Sequence, residues 1–459
     1  MIAAHTSRST ESPQRSSRTL LTERSTDPAE ASQSRTVRIG LIGCGGVGEE
    51  VVRQCARGAE RYRRERAADL QITGILVRDI DRPRDEAVDR SALTTRFGDL
   101  LDRAPDLIIE AAGGTDPAQA WITESLRRGI PVVTANKSLI ARHGAALRRV
   151  AAAYETELAY EAAVGAAVPV IAALRQRAGD RLCAIHAVLN GSTTFILSHM
   201  AAHGCELSQS LQEAQRLGLA EPDPSLDLSG IDSAEKLCIL AAEAGAAALH
   251  PDRLDCRRGI EDITHRDLEA AAAQGCVIRL TARLDVCGGH VRRAVVCPAL
   301  LPRAHPLARL RGAENGALMH HEDAGPLLLT GCGAGPAPTA SAVLGDVIRI
   351  CRGSRRADEG CGAARTATVP IVDGTVARTR LFLRVQHNDA GTTTALDPHC
   401  VLSSLERAGI GVHHIEFRAK RMEAVVDTDV IEEESLRTLL GISPEMSVFC
   451  APLERTDAS

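Results

Sequence analysis

The apolar positions along the chain fall into two rhythms. Short unbroken runs, Val37–Ile42, Gln71–Val77, Leu107–Ala111 and Ile130–Thr134, have the length and β-branched content of strands buried on both faces. Helical spacing separates them, beginning at Glu49-Glu-Val-Val after the first run. Strand and helix in alternation predict a parallel sheet of the α/β class over residues 36–160. The alternation then changes character. Cys183–Leu189, Ile278–Val286 and Val291–Val296 read as strands of a mixed sheet, with helices opening at Asn190 and Leu237, so 161–335 reads as an α+β unit. Thr339–Ile350 reads as a helix within 336–352 that packs back on the first sheet.

A charged, glycine-containing stretch, Arg355–Gly362, marks a linker over 353–375. Beyond it come strand Thr379–Gln386, helix Val401–Arg407, strands Gly411–Phe417 and Glu423–Val426, helix Glu432–Leu440 and strand Met446–Cys450. That βαββαβ order predicts a ferredoxin-like unit over 376–455. At the other end, residues 1–35 are rich in Ser, Thr and Arg without apolar periodicity and read as a disordered extension.

Composition narrows the function classes. A chain of 459 residues, 44% hydrophobic and 25% charged, is that of a soluble protein with roughly two to four domains. Aromatic residues make up only 2%, so the cores are aliphatic and a base-stacking surface is excluded. The net charge of -5 and pI near 6.3 leave no basic footprint for nucleic acid or an anionic membrane. The fourteen cysteines are scattered through apolar segments without a C-x-x-C pair, which suits buried thiols in a reducing compartment. No apolar run approaches about 18 residues, and there is no secretory h-region. Glu11, Glu23, Asp27 and Glu30 argue against a transit peptide, so the expected location is the cytoplasm.

The chemistry-bearing positions lie at the strand ends. Gly43-Cys-Gly45-Gly-Val47-Gly48 stands between the first strand and its helix, the context in which G-x-G-x-x-G binds a dinucleotide. Gly43 permits the tight turn, Gly45 lets backbone approach a pyrophosphate, and Gly48 lets helix and strand close up. The second strand ends in Arg78 and Asp79. Arg78, with Arg82 and Arg84, leans toward NADP, whereas Asp79 and Asp81 lean toward NAD. Gly113-Gly114-Thr115 and Ala135-Asn136-Lys137 follow later strands, where open α/β sheets take ligands; Lys137 equally fits an ordinary surface lysine. From Gly218 to Lys236 run four carboxylates, Glu221, Asp223, Asp227 and Asp232, in a loop punctuated by Pro222, Pro224 and Gly230. Asp232 and Lys236 are four apart and share one helix face, so the lysine reads as a proton donor held beside an acid. The same Asp232-Ser-Ala-Glu235 also fits an N-terminal capping box.

Taken together these segments resemble one family, homoserine dehydrogenase. The glycine loop, Thr134-Ala-Asn-Lys137, Tyr160-Glu161-Ala-Ala-Val164-Gly, Asn190-Gly-Ser-Thr, Gly218-Leu-Ala-Glu-Pro-Asp-Pro, Gly230-Ile-Asp232-Ser-Ala-Glu-Lys236 and Gly331-Cys-Gly-Ala-Gly335 occur in the family's order. The resemblance runs from about Val37 to Ile350, followed by a segment similar to an ACT regulatory domain. It implies a Rossmann-type domain, a catalytic and oligomerisation domain, and reversible NAD(P)H-dependent reduction of L-aspartate 4-semialdehyde to L-homoserine on the route to threonine and methionine.

In residues, it implies Lys236 as proton donor and Lys137 as the group placing substrate and nicotinamide. Glu221 would hold the substrate ammonium, with Asp227 and Asp232 completing the substrate site. Gly218 and Gly335 would line the cofactor with Gly43, Gly45, Val47, Gly48, Arg78, Gly114 and Thr115. Glu161, with the carbonyls of Val164, Ala166 and Val168, matches a sodium site. Homodimers or homotetramers are expected by analogy, and threonine is the expected effector of the ACT domain. Three positions depart from the family pattern: Thr194 for Asn, Ala167 for Gly, and Asp389-Ala-Gly391 for Asp-x-Pro-Gly. Two other readings stay open, a different dehydrogenase on the same scaffold and a catalytically silent sensor. His186, His199 and His203 are read as structural.

Overall fold

The computed structural model describes residues 35–64, 69–246, 249–353, 379–387, 405, 410–418, 421–428 and 446–452. The extension, the linker, the two helices expected near 401–407 and 432–440 and the Asp389–Gly391 segment lie wholly or largely outside them. No helix among the described residues is long and apolar enough to cross a membrane.

The first unit begins with β1 (Thr36–Ile42), α1 (Gly46–Arg64), β2 (Asp69–Leu76), β3 (Leu93–Thr94), α2 (Phe97–Asp102) and β4 (Leu107–Glu110). It continues with α3 (Ala118–Arg127), β5 (Val132–Thr134), α4 (Lys137–Ala153) and β6 (Leu158–Ala159). All six strands are parallel, in the order β3-β2-β1-β4-β5-β6. The strand period of two explains why the runs are apolar throughout. Val37, Ile39 and Leu41 face the layer holding α1, while Ile42 and Ile108 face the layer holding α3 and α4. Strand order reverses between β1 and β4, so the crevice for a ligand opens where the loops after β1 and β4 meet.

A short turn, Glu161–Ala163, leads into α5 (Val170–Gln176), β7 (Leu182–Val188), α6 (Gly191–His203), α7 (Leu207–Arg216), α8 (Ser225–Leu228) and α9 (Ile231–Glu243). Then come β8 (Cys256–Arg257), α10 (His265–Ala273), β9 (Cys276–Cys287), β10 (His290–Pro302), β11 (Glu314–His321) and β12 (Gly325–Cys332). The second sheet runs β12-β11-β7-β9-β10-β8, antiparallel apart from the β10–β8 pair. Its helix-covered face, with Leu237, Leu240, Ile278 and Leu284, joins the core of α3 and α4 without a break. The strand run that ends at Val296 in the sequence pattern continues to Pro302, and β11 carries no pattern strong enough to be read as a strand. Both are explained by pairing: a long hairpin partner and two neighbouring strands stabilise segments whose own alternation is weak.

α11 (Pro336–Cys351) lays Ala340, Val343, Leu344 and Val347 in the same core as Val51, Val52 and Cys55 of α1. β13 (Thr379–His387), β14 (Gly411–Arg418), β15 (Arg421–Thr428) and β16 (Met446–Pro452) form a four-stranded antiparallel sheet in the order β14-β15-β13-β16.

The turn after β1 depends on bare backbone. A Cβ on Gly48 would stand 2.3 Å from the Gly43 carbonyl oxygen. Gly48→Ala should therefore weaken nicotinamide-dinucleotide affinity at least tenfold and lower Tm, an overpacking penalty of about 1–3 kcal/mol, checked by fluorescence titration and calorimetry.

Candidate functional site

Asp232 is the meeting point of the two units. It lies in the first turn of α9, buried to 3% exposure. The helix begins earlier than the apolar pattern at Leu237 suggests, because Gly230 takes a left-handed conformation (φ 77°) and turns the chain straight into it. Gly230 is the N-cap and no side chain caps this end, so the capping-box reading of Asp232–Glu235 is corrected. The carboxylate is thereby free for longer-range partners. Lys137 Nζ donates to Oδ1 at 2.9 Å, Lys236 Nζ to Oδ2 at 2.8 Å, and Asn190 Nδ2 to Oδ2 at 2.9 Å.

These partners come from three helix starts. Lys137 is the first residue of α4, Asn190 is the N-cap of α6, and Asp232 and Lys236 share one face of α9. Asn190 uses every polar atom of its amide. Its Oδ1 accepts from Thr193 N at 2.8 Å, and Nδ2 also donates to Asp227 Oδ1 at 2.7 Å. Burial by itself would raise the pKa of Asp232. The two ammonium groups and the Asn190 amide outweigh it and hold the carboxyl well below the usual range. Asp232 in turn is the main cause that keeps the Lys137 ammonium charged above its ordinary range, against desolvation.

Lys236 spends one N–H on Asp232 and one on the Leu189 carbonyl at 2.7 Å. Among the described residues its third N–H has no acceptor, which is the state a proton donor requires.

The α4–α9 pair is tied again further along. Ser138 Oγ donates to Glu235 Oε2 at 2.7 Å. Near the far ends, Arg148 of α4 lies 3.9 Å from Glu243 of α9, which also takes Arg175 Nε at 2.6 Å and the Tyr160 hydroxyl. Glu243 and Asp232 are three turns apart, as are Arg148 and Lys137, so the two helices run side by side in one register.

On the opposite wall, the loops after β1 and β4 form an open cradle. Gly45, Gly113 and Gly114 each leave free space where a Cβ would stand. Glu110, fully buried at the end of β4, accepts from Ala112 N at 2.8 Å and Gly113 N at 3.1 Å and so shapes this loop. Asn136 Nδ2 donates to the Gly114 carbonyl at 2.6 Å, tying the cradle to the residue before Lys137. Thr115 is half-buried in the same loop, and Val47 opens α1. Bare backbone and the α1 N-terminus fit a dinucleotide pyrophosphate.

The other expected positions are placed less uniformly. Arg78 is exposed at the end of β2, whereas Arg84 is half-buried and donates to the Arg82 and Asp79 carbonyls at 2.9 and 2.5 Å. Gly335 caps α11 at φ 107°, and Gly218 is an exposed left-handed turn. Glu221 is exposed with no side-chain partner among the described residues, held by its backbone through Gln215. The Glu161 carboxylate accepts from the amides of Ile171 and Ala172 at 2.9 and 2.8 Å, capping α5. Glu161 stands beside the carbonyls of Val164, Ala166 and Val168 in the tight turn where Ala166 is left-handed (φ 49°). Among the described residues no group of three or more His, Cys, Asp or Glu could hold a metal ion.

Asn190 and Asn136 went unassigned in the sequence, although an Asn directly before a helical run is an N-cap signal. Glu110 and Glu243 gave no such signal.

Two family descriptions match the chain: homoserine dehydrogenase over residues 169–348 and its NAD-binding domain over 43–161. The chain is 38% identical to homoserine dehydrogenase of Corynebacterium glutamicum over 359 residues, covering 77% of this chain and 80% of the other. For the Mycobacterium tuberculosis homoserine dehydrogenase the identity is 35% over 402 residues, 86% and 88% of the two chains. The crystal structure of a homoserine dehydrogenase from Thiobacillus denitrificans superposes with TM-score 0.80 at 29% identity, covering 92% of this chain and 99% of that one. A hyperthermophilic archaeal homoserine dehydrogenase in complex with NADPH gives TM-score 0.56 at 26% identity, over 68% of this chain and 97% of that one.

The Asp232 charges carry a pH signature. A depressed carboxyl pKa adds stability that is complete above the unfolded value, about 3.9, and is lost as pH falls toward the lower folded value. At pH 7 Asp232→Asn should cost about 3–5 kcal/mol by leaving buried ammonium unpaired. In urea melts the gap to wild type should start to narrow only below about pH 4.

Proposed function

The chain belongs to the homoserine dehydrogenase family, and on that premise we propose that it interconverts L-aspartate 4-semialdehyde and L-homoserine with a nicotinamide dinucleotide. The observation that carries the reading is the single carboxylate, Asp232, holding two lysine ammonium groups beside the glycine cradle.

The bound nicotinamide supplies or accepts the hydride. As negative charge grows on the aldehyde oxygen, Lys236 delivers a proton through its uncommitted N–H and becomes a neutral amine. Asp232 orients Lys236, while Lys137 adds positive charge at the mouth of the site and stays protonated. Asn190 bridges Asp232 and Asp227 with its two N–H groups and so fixes the positions of both acids. Glu221 is free to take the substrate ammonium, with Asp227 beside it.

Cofactor choice is proposed as NADP. Gly43 N donates to the Leu76 carbonyl at 2.9 Å, so the end of β2, with Arg78, Arg82 and Arg84 following it, lies beside the glycine turn, and Asp79, the residue that would hold a ribose hydroxyl, already accepts from Asp81 N at 2.9 Å. The order β14-β15-β13-β16 suits a ferredoxin-like ACT domain, for which threonine is the proposed effector. The carbonyls of Glu161, Val164, Ala166 and Val168 are the proposed ligands of a sodium ion. β12 is an edge strand with Leu328 exposed, which favours assembly of copies through the middle sheet.

Steady-state absorbance assays with aspartate semialdehyde, run with NADPH and with NADH and with or without threonine, test the assignment. Lys236→Ala should lower kcat about 10²–10⁴-fold with little change in the KM for NADPH. Arg84→Ala should raise the KM for NADPH at least tenfold and leave that for NADH nearly unchanged. Full turnover by the Lys236 variant would refute the proton-donor role.

A further inference from the structure

The Leu189 carbonyl that holds Lys236 has a second donor. Asn315, on β11 and 1% exposed, donates Nδ2 to the same oxygen at 3.1 Å and to the Gly333 carbonyl at 3.2 Å. Both neighbours are carbonyl oxygens, so chemistry alone settles which end of the amide faces them. Its Oδ1, buried, faces no donor among the described residues. The side chain therefore serves its neighbours rather than completing its own bonds.

Those neighbours belong to the two halves of the site. Leu189 precedes the Asn190 cap, and its carbonyl fixes the Lys236 ammonium. Gly333 lies in the turn between β12 and α11, whose first residues reach the glycine turn of the first unit. Gln54 Nε2 donates to the Ala337 carbonyl at 3.0 Å, and a Cβ on Gly46 would meet Pro336 at 3.3 Å. The contact at Gly333 tolerates nothing larger than hydrogen, because a Cβ there would fall 1.9 Å from Asn315 Cγ and 2.2 Å from Nδ2.

We propose that Asn315 is a positioning residue for proton delivery. It locks the carbonyl that aims Lys236 to the glycine turn that borders the cofactor, and so sets one against the other. It touches neither reactant and acts through Leu189. A purely space-filling role would be met by an apolar side chain of similar size, with no buried acceptor left over.

The inference rests on the reaction assigned above, and the experiment separates the two. Asn315→Ala and the near-isosteric Asn315→Asp both remove the paired donors, and should lower kcat about 10–100-fold while both KM values stay within about threefold. A second arm measures Gly333→Ala in the wild-type and Asn315→Ala backgrounds. The added methyl should be severely harmful to turnover beside the intact amide and nearly neutral once the amide is gone, a coupling that a double-mutant cycle reads directly. Folded Asn315 variants with wild-type kcat, losses confined to KM, or equal harm from Gly333→Ala in both backgrounds would each overturn the proposal. If wild type does not turn over the semialdehyde, it is the reaction assignment that fails; should Asn315→Ala not fold, Asn315→Asp decides the first arm.

Discussion

One carboxylate shared between two lysines is the constraint on which the rest depends. Asp232 draws together the starts of α4, α6 and α9, three helix ends that carry partial positive charge. A lysine as the first residue of a helix works against that dipole, and two lysines at one spot repel each other. The buried acid between them resolves both conflicts, and desolvation makes the attraction stronger than it would be in water. The arrangement holds both lysine side chains at the cleft, where a developing alkoxide needs positive charge nearby.

The constraint also explains why two sheets of different construction behave as one enzyme. α4 closes the parallel sheet and α9 covers the mixed one, yet they lie in one register with ionic ties three turns apart. α11 returns from the mixed sheet to α1, and the α3–α4 layer shares its apolar core with α9. Cofactor cradle and proton donor are thus anchored to a common framework. Small errors in their separation would fall directly on the distance over which hydride and proton must move.

Polar side chains with several hydrogen bonds each recur around this framework. Asn190, Asn136 and Glu110 each join a helix start or loop to a neighbour from another element. A buried amide or carboxylate is destabilising unless it is paired, so each of these groups specifies one arrangement of its loop over the alternatives. Oxygen and nitrogen positions around the cleft are consequently set before any ligand arrives. Glu161 follows the same logic at the start of α5, where its carboxylate accepts from two helix amides.

How much of this could be read from the chain follows from which forces are local. The parallel strands, the glycine turn, and the pairing of Asp232 with Lys236 were legible because they rest on periods of two and 3.6 and on residues within a few positions of each other. The apolar pattern of α9 is strong only from Leu237, and it is a left-handed Gly230 that sets the first residue of the helix at Ile231. β11 was invisible because strand pairing, not its own alternation, holds it in the sheet. The meeting of Lys137 with Asp232, of Arg148 with Glu243, and of Asn315 with Leu189 spans 95, 95 and 126 residues. Local propensity says nothing at such separations. By itself, then, the sequence determined the strand–helix alternation and the chemistry available at each strand end; which charges face each other was decided only when packing of the two sheets brought distant helix starts within hydrogen-bond reach.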